Sequence, residues 1–216
     1  MKKTNSTLPK QIIVLGRGRS GTSLVAGLLD KLGVDMGISR PATQNNPKGY
    51  FEDIEISALL DKYVDEEQMP EMTDWNKKFE EEFKELVKNK KGLWGWKQPK
   101  TLYLLPSIVR YLENPHIIVC NREEEAHIKS INSAFWGNQK SEEWCRQSIR
   151  HYKTELRKFF EFNSYPRLDV QFEDFMDENK REETIKKICD FVGVEYNPEK
   201  IKGFIDPKQS KYKYEK

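Results

Sequence analysis

Residues 12–23, Ile12-Ile13-Val14-Leu15-Gly16-Arg17-Gly18-Arg19-Ser20-Gly21-Thr22-Ser23, constrain this chain more than any other stretch. Ile12 to Leu15 is a continuous apolar run, the pattern of a strand buried on both faces. The turn after it holds three glycines, two arginines and the hydroxyls of Ser20, Thr22 and Ser23. Leu24, Val25, Leu28, Leu29 and Leu32 then recur at helical spacing. Strand, glycine-rich turn and helix follow in that order, so the hydroxyls fall at a helix N-terminus. Unpaired backbone N–H groups, the positive end of the helix dipole and fixed cations meet there. That combination is an anion site, most naturally for phosphate.

Gly16 and Gly21 have the spacing of a Walker A loop, but Thr22 stands where that loop carries its lysine. A kinase without that lysine is impaired in handling β- and γ-phosphates. The cation sits inside the loop instead, as Arg19. A turn without a ligand fits poorly, because two arginines beside a helix N-terminus oppose its dipole unless an anion joins them.

The chain is long enough for one domain with a full core. Charged residues make up 33% of it, above the roughly 25% usual for soluble domains. Mean hydropathy is -0.82, which implies solvated outer helices. Net charge is only +2, so no global basic field points to nucleic acid. Cys120, Cys145 and Cys189 are far apart and odd in number, matching neither a disulfide framework nor a metal spacing. No apolar run approaches the roughly 20 residues of a membrane span, and the polar N-terminus lacks a signal-peptide core. A reducing cytoplasm is the simplest compartment.

Residues 1–10 read as a flexible arm, 11–206 as one domain and 207–216 as a basic tail. Within the domain, Val34-Asp35-Met36 reads as a short second strand, followed by a polar loop to Gly49. Ile54, Ile56, Leu59, Leu60 and Tyr63 mark a helix, and residues 65–75 a loop. Phe79, Phe83, Leu86 and Val87 stripe a charged helix. Leu93 to Lys97 reads as a strand, Leu102 to Leu112 as a helix with a boundary at Pro106, and His116 to Asn121 as a strand. Glu123 to Ala134 and Ser141 to Phe162 follow as helices, Leu168 to Phe172 as a strand and Glu182 to Val192 as a helix, with a last short helix after Asn197-Pro198. Trp75, Trp94, Trp96, Phe135 and Trp136 read as core by default, with one or two available to stack on a ligand. Strands alternating with helices predict a three-layer α/β fold with a mainly parallel central sheet, like the P-loop nucleotide kinases. Ligands bind such sheets outside the carboxyl ends of the strands, where Arg19, Lys97 and Arg122 all fall.

These residues resemble a family, the sulfotransferases that use 3′-phosphoadenosine 5′-phosphosulfate (PAPS). Gly18-Arg19-Ser20-Gly21-Thr22-Ser23-Leu24 resembles the family's 5′-phosphosulfate loop. Arg122 at a strand end, with Ser130 eight residues on, resembles its 3′-phosphate motif. Asn46-Pro47-Lys48-Gly49-Tyr50-Phe51-Glu52, Trp96-Lys97-Gln98-Pro99-Lys100 and Val170-Gln171-Phe172-Glu173-Asp174-Phe175 resemble three further family segments, in family order. Gly18, Gln98, Lys100 and Phe172 depart from the usual residues, and the tail lacks the signature that closes over the cofactor in cytosolic members.

The chemistry of the residues agrees. PAPS carries anions at both ends of one adenosine. Arg17 to Ser23 would take the 5′ end, and Arg122 with Ser130 the 3′-phosphate. Arg19 and Lys97 are the cations expected at the transferring group, in place of a metal. The strand ending in Asn121-Arg122 lacks a Walker B acid, so no metal requirement is expected. An acceptor hydroxyl needs a proton acceptor. His116, His127 and His151 are badly placed, which leaves Glu52, with Asp53 and Glu55 as fallbacks. The resemblance also implies a glutamate base in this region; a helix-capping role for Glu52 is the competing reading. The expected partner is a carbohydrate or small-molecule hydroxyl acceptor, with no nucleic acid or membrane and no oligomeric state specified. A P-loop kinase and a nucleotide-binding module without turnover are the rivals.

Overall fold

Four strands form one parallel sheet in the order β2-β1-β3-β4: β1 Gln11–Leu15, β2 Trp94–Lys97, β3 Pro115–Asn121 and β4 Arg167–Gln171. The computed structural model describes residues 8–39, 48–73, 75–134 and 140–205. The expected roles of residues 1–7, Asn46-Pro47, Phe135, Trp136 and the basic tail lie outside the described residues.

The apolar run of β1 is buried on both faces because its side chains alternate between two cores. Ile12 and Val14 pack with Ile118, Cys120 and Val170 of the sheet, against α1 (Thr22–Lys31) and α8 (Glu178–Val192). Ile13 and Leu15 pack with Trp96, Ile117 and Val119 on the other face. That face is covered by α2 (Ile54–Tyr63), α3 (Lys77–Val87), α4 (Leu105–Val109) and α6 (Glu142–Phe162). α5 (Glu124–Asn132) packs on α6 through Ile128, Ile131, Cys145 and Ile149. This is the α/β architecture expected from the sequence.

Several elements differ from expectation. Val34–Met36 is not a strand: only Asp35 bridges, to Trp94, because three residues before a glycine turn cannot build a ladder. The helix expected over Leu102–Leu112 is a 3-10 helix, Pro99–Leu104, followed by α4. Pro99 starts the first piece and Pro106 sits in the first turn of the second, as proline prefers. The polar loop after α2 contains a 3-10 turn, Glu66–Gln68, capped by Asp65. α8 starts at Glu178, with Asp177 as its cap. Residues 198–204 form turns instead of a last helix. Trp94 and Trp96 stack in the core with ring centroids 5.5 Å apart, whereas Trp75 is 53% exposed.

Register fixes where the site lies. Val14 pairs with Lys97, Leu15 with Val119, and Asn121 with Gln171. The loop after β1, Lys97 and Arg122 therefore share the carboxyl edge of the sheet.

Candidate active site

The loop between β1 and α1 is held from outside. Tyr152 Oη of α6 accepts the Gly16 N–H at 3.1 Å and donates to Pro99 O at 3.1 Å. His127 Nε2 of α5 donates to Gly18 O at 2.9 Å, and Arg122 to Arg19 O at 3.1 Å. A trans peptide points its C=O and N–H in opposite directions. With the Gly18 carbonyl turned toward α5, the Arg19 N–H faces away from α5. Arg19 holds φ at 76°, a left-handed value that an arginine adopts only when its surroundings impose it.

The loop also has no room for larger residues. A Cβ at Gly16 would lie 2.4 Å from Ser20 Oγ and 2.8 Å from Cys120 O. Gly21 caps α1 with φ at 101°, and a Cβ there would meet the Phe172 ring at 2.7 Å. No side-chain cap of α1 is found among the described residues; Gly21 O takes the N–H groups of Leu24 and Val25, and the helix opens onto the loop. Ser20 Oγ is buried without a hydrogen-bond partner among the described residues. A buried hydroxyl without a partner, at an uncapped helix N-terminus, fits a bound anion.

Arg122 and Ser130 lie beside this loop. Both are buried, at 7% and 2% exposure. The Arg122 guanidinium stacks 4.3 Å over the Phe172 ring, which also packs on Gly21. Arg19 Nε donates to Ser130 Oγ at 3.3 Å. The two anion sites expected from sequence thus meet at Arg19, whose side chain reaches Ser130 while its carbonyl takes Arg122. Burial, with Arg122 and Arg17 nearby, pushes the His127 imidazole down to about 3, so it is neutral at ordinary pH.

Lys97 and Glu52 form a second center, with Lys97 Nζ 2.5 Å from Glu52 Oε1. Lys97 is buried at the end of β2. Burial lowers its proton affinity, opposed by the Glu52 carboxylate. Glu52 does not cap α2. The cap is Asp53, whose Oδ1 accepts from Glu55 N and Ile56 N at 3.0 Å each and whose Oδ2 pairs with Lys90 at 3.0 Å. Asp53 is thereby committed to structure, while Glu52 faces Lys97. Glu66 completes the cluster. Burial raises its pKa against the opposing pull of Arg17, and the charges of Lys100, Glu52 and Lys97 also act on it.

Arg17 leaves the loop and pairs with Glu66 at 2.7 Å. Thr22 is buried and Ser23 half-buried at the start of α1. His116 and His151 lie away from these groups, against Asn114 and Pro70. A cleft of about 670 Å³ between α6 and β4, lined by Asn121, Lys153, Arg157, Phe160 and Arg167, contains none of the expected site residues. Sequence reasoning missed Glu66, Tyr152 and Phe172 as site-building residues and set His127 aside. Phe172 was legible as a departure from the family segment. Glu66 lies in a polar stretch without periodicity, and Tyr152 reads as one more apolar position of a helix.

A parallel α/β sheet with a glycine-rich, lysine-free loop between β1 and α1, and with Arg122 and Ser130 beside it, is a P-loop-like α/β fold. A family model described as "Sulfotransferase family" matches residues 9–198, so the chain belongs to the sulfotransferase family. Among solved structures it is similar to the sulfotransferase domain from the curacin biosynthetic pathway (TM-score 0.61, 15% identity, covering 93% of this chain and 80% of that one). It is also similar to the sulfotransferase domain of the Synechococcus PCC 7002 olefin synthase (TM-score 0.59, 18% identity, 99% and 84%). Shikimate kinase from Bacteroides thetaiotaomicron shares the fold (TM-score 0.50, 9% identity, 87% and 99%). A comparison with curated protein sequences gave no significant match. No helix among the described residues is long and apolar enough to cross a membrane.

Proposed function

We propose that this chain transfers a sulfuryl group from PAPS to the hydroxyl of a carbohydrate or small metabolite. The observation that carries this reading is Arg19, which joins the anion loop to the Arg122–Ser130 pair within one residue. Two adjacent anion sites suit a nucleotide charged at both ends better than a linear triphosphate.

PAPS would supply an activated sulfuryl group whose bond to the 5′-phosphate breaks as the acceptor oxygen bonds to sulfur. Gly18, Ser20, Gly21, Thr22 and Ser23 would hold the 5′ end with loop N–H groups and hydroxyls. Arg122 and Ser130 would hold the 3′-phosphate. Glu52 would accept the proton of the acceptor hydroxyl. Lys97 and Arg19 would carry the positive charge near the transferring group. No resident metal enters this reading, because β3 ends in Asn121-Arg122 without an acid to hold one. A cytoplasmic location belongs to this reading.

Thermal denaturation tests the assignment. At about 100 times its dissociation constant a ligand adds about 2.7 kcal/mol, which for this chain length raises Tm by roughly 5–10 °C. 3′-Phosphoadenosine 5′-phosphate (PAP) should produce such a shift without metal, and adenosine 5′-phosphate a smaller one at equal concentration. Arg122→Ala should remove most of the difference between the two. No shift with PAP, or a larger one with magnesium ATP, overturns the donor assignment.

A further inference from the structure

Arg17 reads in sequence as a cation of the anion loop, yet its side chain points out of the loop. Its guanidinium donates to Glu66 Oε1 at 2.7 Å and to Ser148 Oγ at 3.4 Å, and lies 5.7 Å over the Trp144 ring. The ion pair is largely withdrawn from water, with side chains 6% and 16% exposed. Glu66 belongs to a segment, residues 64–73, that is fastened along its length. Glu67 pairs with Lys140 at 3.0 Å. His151 donates to Pro70 O at 2.8 Å, and Met72 N donates to Glu155 Oε2 at 2.8 Å. Thr73 N donates to Tyr103 O at 2.8 Å. Tyr103 belongs to the 3-10 helix that follows Lys97 by two residues, so the segment is tied to the element next to the Lys97–Glu52 pair, and the charges of both reach Glu66.

We propose that Glu66 is a positioning residue: through Arg17 it seats the 64–73 segment, as a wall of the acceptor side, against the anion loop. Arg17 then serves that wall and not the cofactor. The inference rests on the reading of the loop as the donor site and Glu52 as the base. Its physical basis is that a buried ion pair fixes geometry, because removing one partner leaves the other charge stranded. The other bonds of the 64–73 segment go to α6, Lys140 and the 3-10 helix after β2, so the Arg17–Glu66 pair ties it to the anion loop itself.

The test combines amide exchange, read by mass spectrometry on the full chain, with PAP titration. Arg17→Gln and Glu66→Gln should each speed exchange at Met72 and Thr73 by about tenfold or more, as local opening becomes easier. Both should leave PAP affinity within about twofold of the original, the split expected of a group that acts only on the acceptor side. Arg17→Lys, which keeps a cation for Glu66, should restore slow exchange. Arg122→Ala should show the reverse pattern, with weak PAP and unchanged exchange at 72–73. The proposal is overturned if Arg17→Gln weakens PAP as much as Arg122→Ala, or if exchange at 72–73 does not change. Should Arg17→Gln fail to fold, Arg17→Lys and Glu66→Gln carry the same comparison. Should the unaltered chain not bind PAP, the donor reading fails while the exchange arm still decides the pin.

Discussion

Glu52 and Asp53 are adjacent carboxylates with different partners, and the chain turns sharply just before both. Phe51 holds φ at 52°, which turns the chain just before them. Asp53 then faces the first turn of α2 and Lys90, while Glu52 faces Lys97. Asp53→Ala removes a cap, worth about 1 kcal/mol, and strands Lys90. Urea denaturation should show a loss of about 1–3 kcal/mol, with transfer from PAPS retained below the melting range. Glu52→Gln should do the opposite to function, cutting transfer by about a hundredfold or more while keeping the PAP-induced rise in Tm. It should also change the pH dependence of stability. Lys97 is already depressed by burial, and Glu52 opposes that shift. Without Glu52 the folded-state value falls further. The unfolded chain then binds more protons in the window below the ordinary lysine value, so the variant gains stability relative to the original as pH rises through it. If Asp53→Ala abolishes transfer and Glu52→Gln does not, the base is the other carboxylate.

At the scale of elements, the anion loop owes its shape to α5 and α6, which pack on each other and both bond to it. His127 carries the α5 side. Its imidazole is held down to about 3 by burial, against 6.5 for the free group. A depressed folded-state value means that stability is complete above pH 6.5. It falls as pH drops toward 3, because only the unfolded chain takes the proton. Between pH 7 and 5 this group should cost on the order of 2 kcal/mol. His127→Asn should be less stable at pH 7 but show a flatter loss over that interval, read from urea midpoints at the two values. β1 and α1 were legible in the sequence because local pattern alone defines them: an apolar run, a glycine turn, then a 3.6-residue stripe. Arg122 and Ser130 were singled out by resemblance to a family motif, and Arg19 links them: its carbonyl takes Arg122 and its side chain reaches Ser130. Glu66 was not, since its partner Arg17 is remote in sequence and only packing on α6 joins them. The segment around Val34 failed for a related reason. Its apolar alternation is real, but Val34 and Met36 fill the core beside α1 without forming a ladder.

At the scale of the molecule, α6 ties the site together. Its 21 residues span about 31 Å, long enough to touch the anion loop, the 3-10 helix after β2 and the 64–73 segment. Tyr152 is the central contact, joining Gly16 N and Pro99 O through one hydroxyl, with its ring edge-on to Tyr103. Its burial raises the phenol pKa well above the ordinary value, so the hydroxyl stays neutral and both bonds persist across ordinary pH. Tyr152→Phe keeps the ring and removes the oxygen, leaving the Gly16 N–H buried without its partner, while Pro99 O keeps its bond within the 3-10 helix. That group costs about 1–3 kcal/mol, so Tm should fall by roughly 2–12 °C. Because Gly16 opens the anion loop, PAP affinity should fall several-fold in the same variant. Ile188→Val, in the core on the other face of the sheet, is the control. It should cost about 0.5–1.5 kcal/mol and leave PAP binding unchanged. If the two variants lose stability in proportion and neither weakens PAP, the loop holds its shape from its own backbone, and α6 only packs beside it.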